Sequence, residues 1–257
     1  MSIGRILALL SRHMYLYKRS FARMLEIFYW PFLDLVVWGF ITIYLEKVGV
    51  QVHGAVTFFL GALILWDVLF RAQQGIAVSF LEEMWARNLM NLFASPLTVG
   101  EYLVATMTMS VIKVTAVGGL MMLFAWTFYS YDILQMGFSL FPFVLNLVVS
   151  GWIIGVLTTS IIMRFGQQAE VLAWGMVSPF QPISCVLPSV LQSIAWFVPP
   201  AHIFEGMRSI LTTGSVPVTH LLWGTGLNAG FLFLIVLWFY HTFNICKDRG
   251  MLVRVGE

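Results

Sequence analysis

Six stretches of this chain are long, apolar and nearly free of charge, and no other feature restricts its fold as much. They cover about 24–46, 54–81, 100–128, 138–163, 168–187 and 219–245. A backbone in hydrocarbon must satisfy its own hydrogen bonds, which leaves helices and closed barrels. Runs of this length exceed a barrel strand of about 10 residues and suit a helix, which needs about 20 to cross. The first run, of ~23 residues, reaches ~34 Å and spans with some tilt. The pattern predicts an all-α, polytopic membrane protein with six transmembrane helices in a single membrane domain, 1–257. Composition agrees: 60% of residues are apolar and 10% charged, where a soluble domain carries about a quarter charged.

The segments outside the spans carry the specific information. Residues 2–23 read as an amphipathic helix. Ile3, Ile6, Leu7, Leu10, Met14, Tyr17 and Phe21 share one face, and Arg5, Arg12, Arg19 and Arg23 the other. Such a helix lies in the headgroup layer with its arginines toward phosphates; a basic topogenic signal without fixed structure is the alternative. No short apolar region with a small-residue cleavage site follows, so a signal peptide is not expected. The span over 24–46 opens at Pro31 and closes at Glu46-Lys47.

Between the second and third spans, 84–96 reads as a second amphipathic helix. Leu81, Trp85, Leu89, Leu92 and Phe93 line one face, Arg87, Asn88, Asn91 and Ser95 the other, and Pro96 ends it. It is too short to cross, so it lies on the membrane surface or docks into a partner's groove.

Basic residues set the orientation. With six spans, one side collects eleven (Arg5, Arg12, Lys18, Arg19, Arg23, Arg71, Arg87, Arg164, Lys247, Arg249 and Arg254) against Lys47 and Arg208 on the other. The bias places both termini and the 84–96 helix in the cytoplasm. On the outer side, five of nine prolines fall between Pro179 and Pro200, too many for one regular helix. The segment is nevertheless apolar, and irregular backbone at membrane depth must be covered by protein or line a cavity. It predicts a re-entrant helix pair within 188–213: one helix over 188–197, then one over 201–213 led by Pro199-Pro200 and ended by Gly214. An exposed, kinked loop is the alternative.

No catalytic constellation stands out. His13, His53, His202, His220 and His241 are scattered, no HExxH or GxSxG pattern occurs, and no P-loop is present, so the chain is not expected to hydrolyse ATP itself. Cys185 and Cys246 fall on opposite sides, which predicts neither a disulfide nor a metal site. Charges within spans are costly unless paired and mark functional candidates. Asp34, Asp67, Arg71 and Lys113 are four such residues, expected to form a network joining the first three spans, either as interhelical clamps or as the lining of a substrate path. Glu205 and Arg208 form an i,i+3 pair in the re-entrant segment. Gly151 and Gly155 make a G-x-x-x-G on the fourth span; Gly118-Gly119 and Gly224, Gly226 and Gly230 are further close-approach candidates.

Three features together resemble the permease subunits of type-2 ABC exporters, whose fold is called type V. They are the basic amphipathic N-terminal helix, the segment ARNLMNLFASPLTVGEYLVA (86–105), and PISCVLPSVLQSIAWFVPPAHIFEGMRSIL (182–211). The second is similar to the family's cytoplasmic coupling segment, and the third to its outer re-entrant motif, in which a proline-led segment precedes an arginine, here Pro200 and Arg208. One departure is Ser184-Cys185-Val186-Leu187, where the family usually has an aromatic before its proline.

The resemblance implies a half-permease in a bacterial cytoplasmic membrane, working as a dimer with a second copy or a related chain. Two copies of a separate ATPase subunit would bind ATP and Mg, and this chain would hold no cofactor and no nucleic acid. Trp85, Arg87, Asn88, Asn91, Leu92 and Ser95 would contact the ATPase. Pro200, Glu205 and Arg208 would form an outer gate, and the substrate would be amphipathic or glycan- or lipid-like. An ion-coupled carrier is an alternative, but its inverted repeat should place a broken segment in 1–130 as well as in 179–213. A membrane enzyme is a further one, and it lacks a histidine or nucleophile beside the intramembrane charges.

Overall fold

The computed structural model describes residues 1–48, 55–131, 139–185 and 192–251, and all regular structure among them is helical. Four segments are long and apolar enough to cross a membrane: Arg23–Leu45, Val99–Tyr129, Phe141–Ala169 and Val218–Asp248. They lie in α2 (Phe21–Lys47), α5 (Val99–Tyr129), α6 (Phe141–Phe165) with the 3-10 turn Gly166–Ala169, and α11 (Val218–Asp248).

A fifth long helix, α3 (Ala55–Trp85), is the hub, packing against α2, α5 and α6. Its polar residues do not face lipid: Asp67, Arg71, Gln73, Glu82 and Glu83 are all buried. α3 meets α5 closely at Gly75, where a Cβ would stand 2.2 Å from the Ser110 Cβ, and the seam with α6 is also close. A Cβ on Gly151 would stand 2.5 Å from the Ala72 Cβ and 2.7 Å from the Leu69 carbonyl oxygen, and one on Gly155 2.8 Å from the Gln73 oxygen. Small residues let backbones meet in this way. Gly118, Gly119, Gly226 and Gly230 make no such approach, since a Cβ there meets nothing within 4 Å.

Three sequence expectations are corrected. The N-terminal element is not one helix over 2–23. α1 (Ile3–Arg19) ends at Ser20, which is extended (φ −117°), and α2 restarts at Phe21 and runs through Pro31, so Pro31 does not open the span. The helix expected over 84–96 is split. Trp85 ends α3, Arg87 turns left-handed (φ 52°), and only Leu89–Ala94 forms the six-residue α4. Asn88 causes the break: its backbone N–H donates to the Glu83 carbonyl at 2.9 Å and its side-chain amide to the Glu83 carboxylate at 2.6 Å.

The span expected over 168–187 is not a regular helix either. It consists of the 3-10 turn, α7 (Leu172–Gly175) and α8 (Phe180–Cys185), joined by i,i+3 bonds such as Ser178 to Gly175 and Phe180 to Val177. Glu170, near its start, accepts from Trp85, and α8, at its end, packs against α10 (Pro199–Thr213).

The expected helix over 201–213 is α10, opened by Pro199 and Pro200 and ended by left-handed Gly214 (φ 67°). Proline at the first turn and glycine after the last are the favoured termini. Of the helix expected over 188–197, α9 (Gln192–Ala195) is described, and 186–191 lie outside the described residues. α10 packs on α11 and α6 at the end of the bundle opposite α1.

Candidate functional site

At the α1 end, buried carboxylates gather the basic residues. Glu82 and Glu83, in the last turn of α3, are 5% and 0% exposed, and Glu101, in the first turn of α5, is 0% exposed. Arg12 clasps Glu83, Nε at 2.7 Å and Nη2 at 3.1 Å. This bond raises the Arg12 pKa above its ordinary value. Arg23 lies 3.6 Å from Glu82. Glu101 accepts from the Ser2 backbone N–H at 2.6 Å, pairs with Arg5 at 3.0 Å, and closes a capping box with Thr98. Arg5 also donates to the Pro96 carbonyl.

The expectation that the arginines of this helix turn toward lipid phosphates is therefore corrected for Arg5 and Arg12. An unpaired buried carboxylate costs more than a headgroup contact returns. Leu9 and His13 are buried against the bundle and Ile6 and Leu10 pack partly onto it, while Ile3, Leu7 and Met14 are exposed together with Arg12, Lys18 and Arg19. The His13 Nδ1–H donates to the Leu9 carbonyl at 3.1 Å, and Nε2 faces Glu83 at 3.9 Å without a hydrogen bond. Burial holds its pKa below 6.5, against the pull of Glu82 and Glu83.

The segment read as the coupling helix is braced by this cluster. Trp85 donates to Glu170 at 3.0 Å and stacks on Trp174, ring centres 6.3 Å apart. Arg87, Asn91 and Ser95 are exposed. Leu92 packs inward, and so does Phe93, which is 4.7 Å from the Phe243 ring. Asn88 donates its side-chain amide back to Glu83 at 2.6 Å and accepts from the Asn91 amide at 3.4 Å, so it bridges the end of α3 and α4.

Of the four intramembrane charges, three come together. Arg71 donates to Asp67 at 3.2 Å and to Gln74 at 3.0 Å. These residues and Asp34, from α2, line one cavity of about 400 Å³. Lys113 does not join them directly. Its ammonium donates to the Tyr17 hydroxyl of α1 at 2.6 Å, in a smaller cavity of about 70 Å³ that also borders Arg23, Glu82, Arg71 and Gln74. The two cavities share Arg71, Gln74 and Trp174, so polar lining runs from Asp34 to Glu82.

At the α10 end, Arg208 pairs with Glu205 at 3.1 Å, and Pro200 sits in the first turn of α10. The histidines are not all scattered, as the sequence indicated. His202 and His220 meet Nδ1 to Nδ1 at 3.2 Å, and His202 Nε2–H donates to the Trp196 carbonyl at 2.9 Å. That bond fixes a neutral tautomer whose Nδ1 accepts a hydrogen bond from the His220 Nδ1–H. The Trp223 indole donates to the same carbonyl at 3.1 Å. Among the described residues no three His, Cys, Asp or Glu side chains are grouped to hold a metal.

Sequence reasoning missed Glu82, Glu83, Glu101 and the His202–His220 pair. Thr98-x-x-Glu101 is a capping-box pattern that would have located Glu101. It also missed a polar seam between α6 and α11. There Asn228 donates to the Asn146 backbone and side-chain oxygens, both at 3.0 Å, and accepts from Ser150 at 2.9 Å.

No protein-family model matches this chain, and no curated protein is significantly similar to it.

Proposed function

We propose that this chain is the membrane half of an ATP-driven exporter, worked by a separate ATPase that grips the Trp85–Ser95 elbow. The observation that carries the reading is the construction of that elbow. A six-residue helix joins the two long helices α3 and α5, exposes Trp85, Arg87, Met90 and Asn91, and is held from behind by α1 through Arg12, Arg5 and the buried Glu83 and Glu101. A push on α4 reaches both helices at once, because neither end is joined by a slack loop. α3 also carries Asp67 and Arg71 in the cavity wall, so the same push reaches the cavity.

In this reading α3 and the irregular 170–185 ribbon add two crossings to the four apolar helices. Six crossings put both termini and the elbow on the cytoplasmic side, as the basic residues require. A second copy completes the path, and α10 closes the outer side. The membrane is the bacterial cytoplasmic one.

The test is co-expression with candidate ATPases encoded near the gene, followed by purification of the complex and ATPase assay in liposomes. Trp85→Ala with Arg87→Glu is expected to uncouple ATP hydrolysis from transport while the chain still folds. Transport by the chain alone, driven by a proton or sodium gradient, would refute the reading.

A further inference from the structure

We infer that the cavity between α2 and α3 binds an amphipathic organic cation, with Asp34 as its counter-charge and tryptophan faces as its walls. The inference deepens the exporter reading by naming a substrate class.

The walls are aromatic: Trp30 from α2, Trp66 and Phe70 from α3, and Trp174 from α7. The volume of about 400 Å³ falls within the ~300–1,000 Å³ of small-molecule sites. Its charges do not balance. Arg71 is engaged by Asp67 at 3.2 Å and by Gln74. Among the described residues Asp34 makes neither a hydrogen bond nor an ion pair, and Arg71 acts on it only from a longer distance. Within this cavity two carboxylates stand against one guanidinium, a formal charge of −1; the adjoining cavity adds Arg23 and Lys113 against Glu82, so the imbalance is local to the Asp34 end.

A lone carboxylate on a helix that crosses the membrane is costly, and the cost is recovered when a cation arrives. Indole faces attract cations and accept flat apolar groups alike. A neutral sugar also stacks on tryptophan, but it leaves Asp34 uncompensated. An anion faces two carboxylates and a guanidinium already engaged by Asp67 and Gln74. A cation bearing apolar groups is the one class that uses the walls and the charge together.

The probe is radiolabelled tetraphenylphosphonium, bound at equilibrium to the full chain in nanodiscs of zwitterionic phosphatidylcholine. Tetraphenylborate, of the same shape and opposite charge, is the control. Saturable phosphonium binding is expected, with no saturable borate binding. Asp34→Asn is expected to weaken the affinity by about tenfold or more, and Asp34→Glu to keep most of it. Trp30→Ala tests the wall with the charge intact and is expected to weaken binding, while Trp126→Ala on the exposed face of α5 leaves it unchanged. Equal affinity of Asp34→Asn and the parent chain, equal binding of the borate, or displacement of the phosphonium by a neutral oligosaccharide would each overturn the assignment. The binding is read without ATPase or nucleotide, so failure of the elbow as a motor handle and failure of the cavity as a cation site are separate results.

Discussion

Arg12 and Glu83 stand 71 positions apart, yet two guanidinium nitrogens reach the two carboxylate oxygens of Glu83, at 2.7 and 3.1 Å. The clasp fastens the amphipathic helix α1 to the last turn of the hub helix α3. Glu83 is fully buried and Arg12 is 41% exposed, so water partly screens the pair, and the loss on removing Arg12 is dominated by the carboxylate left behind. Arg12→Ala is expected to cost about 1–2 kcal/mol, below the value for a fully buried pair. Thermal unfolding in detergent checks it. Arg12→Lys should restore only part, because an ammonium cannot offer the two-pronged geometry. An unchanged midpoint for Arg12→Ala would show that α1 is held by other contacts.

His13 sits beside this clasp and makes stability depend on pH. Its folded pKa is lowered by burial. As pH falls through 6.5 the unfolded chain takes up a proton that the folded chain resists. The contribution of His13 is therefore complete above that pH and lost progressively below it. Unfolding midpoints at pH 7.5 and 5.5 should differ more for the parent chain than for His13→Gln, which cannot charge. Identical pH dependence in both would exclude His13 as the source.

Asn228 is expected to matter as a connector between α6 and α11. Asn228→Leu removes the bonds to Asn146 and Ser150 and leaves the Asn146 side-chain oxygen without its donor, while the Ser150 hydroxyl still donates to the Asn146 carbonyl at 3.0 Å. Interhelical hydrogen bonds within membranes are worth about 0.6 kcal/mol on average and up to ~1.7, and a loss within that range is expected for this variant. Asn228→Asp keeps the acceptor, loses the donor and adds a charge, so it is expected to fare worse. Denaturation in mixed micelles measures both.

The glycines divide into two classes. Gly155→Leu drives a side chain into the Gln73 backbone and the Ile76 Cβ, and overpacking of this kind costs about 1–3 kcal/mol. Gly118→Ala meets open space and should be neutral or stabilise by up to ~1 kcal/mol through helix propensity. Expression level and unfolding midpoint separate the two. If both behaved alike, the α3–α6 seam would not be the close approach described.

Much of this molecule was legible because the relevant signals are local. Pro199-Pro200 and Gly214 bracket α10 because their backbones permit little else at those places. G-x-x-x-G read as a close approach because two missing side chains on one helix face have few other uses. Four apolar runs became helices long enough to cross because hydrocarbon length is counted along the chain. The split between α3 and α4 was not legible. Asn88 reaches back to Glu83, and nothing in a helical wheel shows that a side chain will compete for the turn. The glycines at 118, 119, 226 and 230 looked like those at 151 and 155, and only the position of neighbouring helices tells them apart.

The charges show the same boundary. The sequence by itself determined that Asp34, Asp67 and Arg71 would need partners, because apolar surroundings do not solvate a charge. It likewise determined that a basic, amphipathic helix would form at the start of the chain, which α1 is. The tertiary structure decided which partner each charge takes. Arg5 and Arg12 turn inward to Glu101 and Glu83, Lys113 goes to Tyr17, and Asp34 is left beside tryptophan. Pairing energy depends on the inverse of distance, and distances between residues about 70–100 positions apart are set by how helices pack.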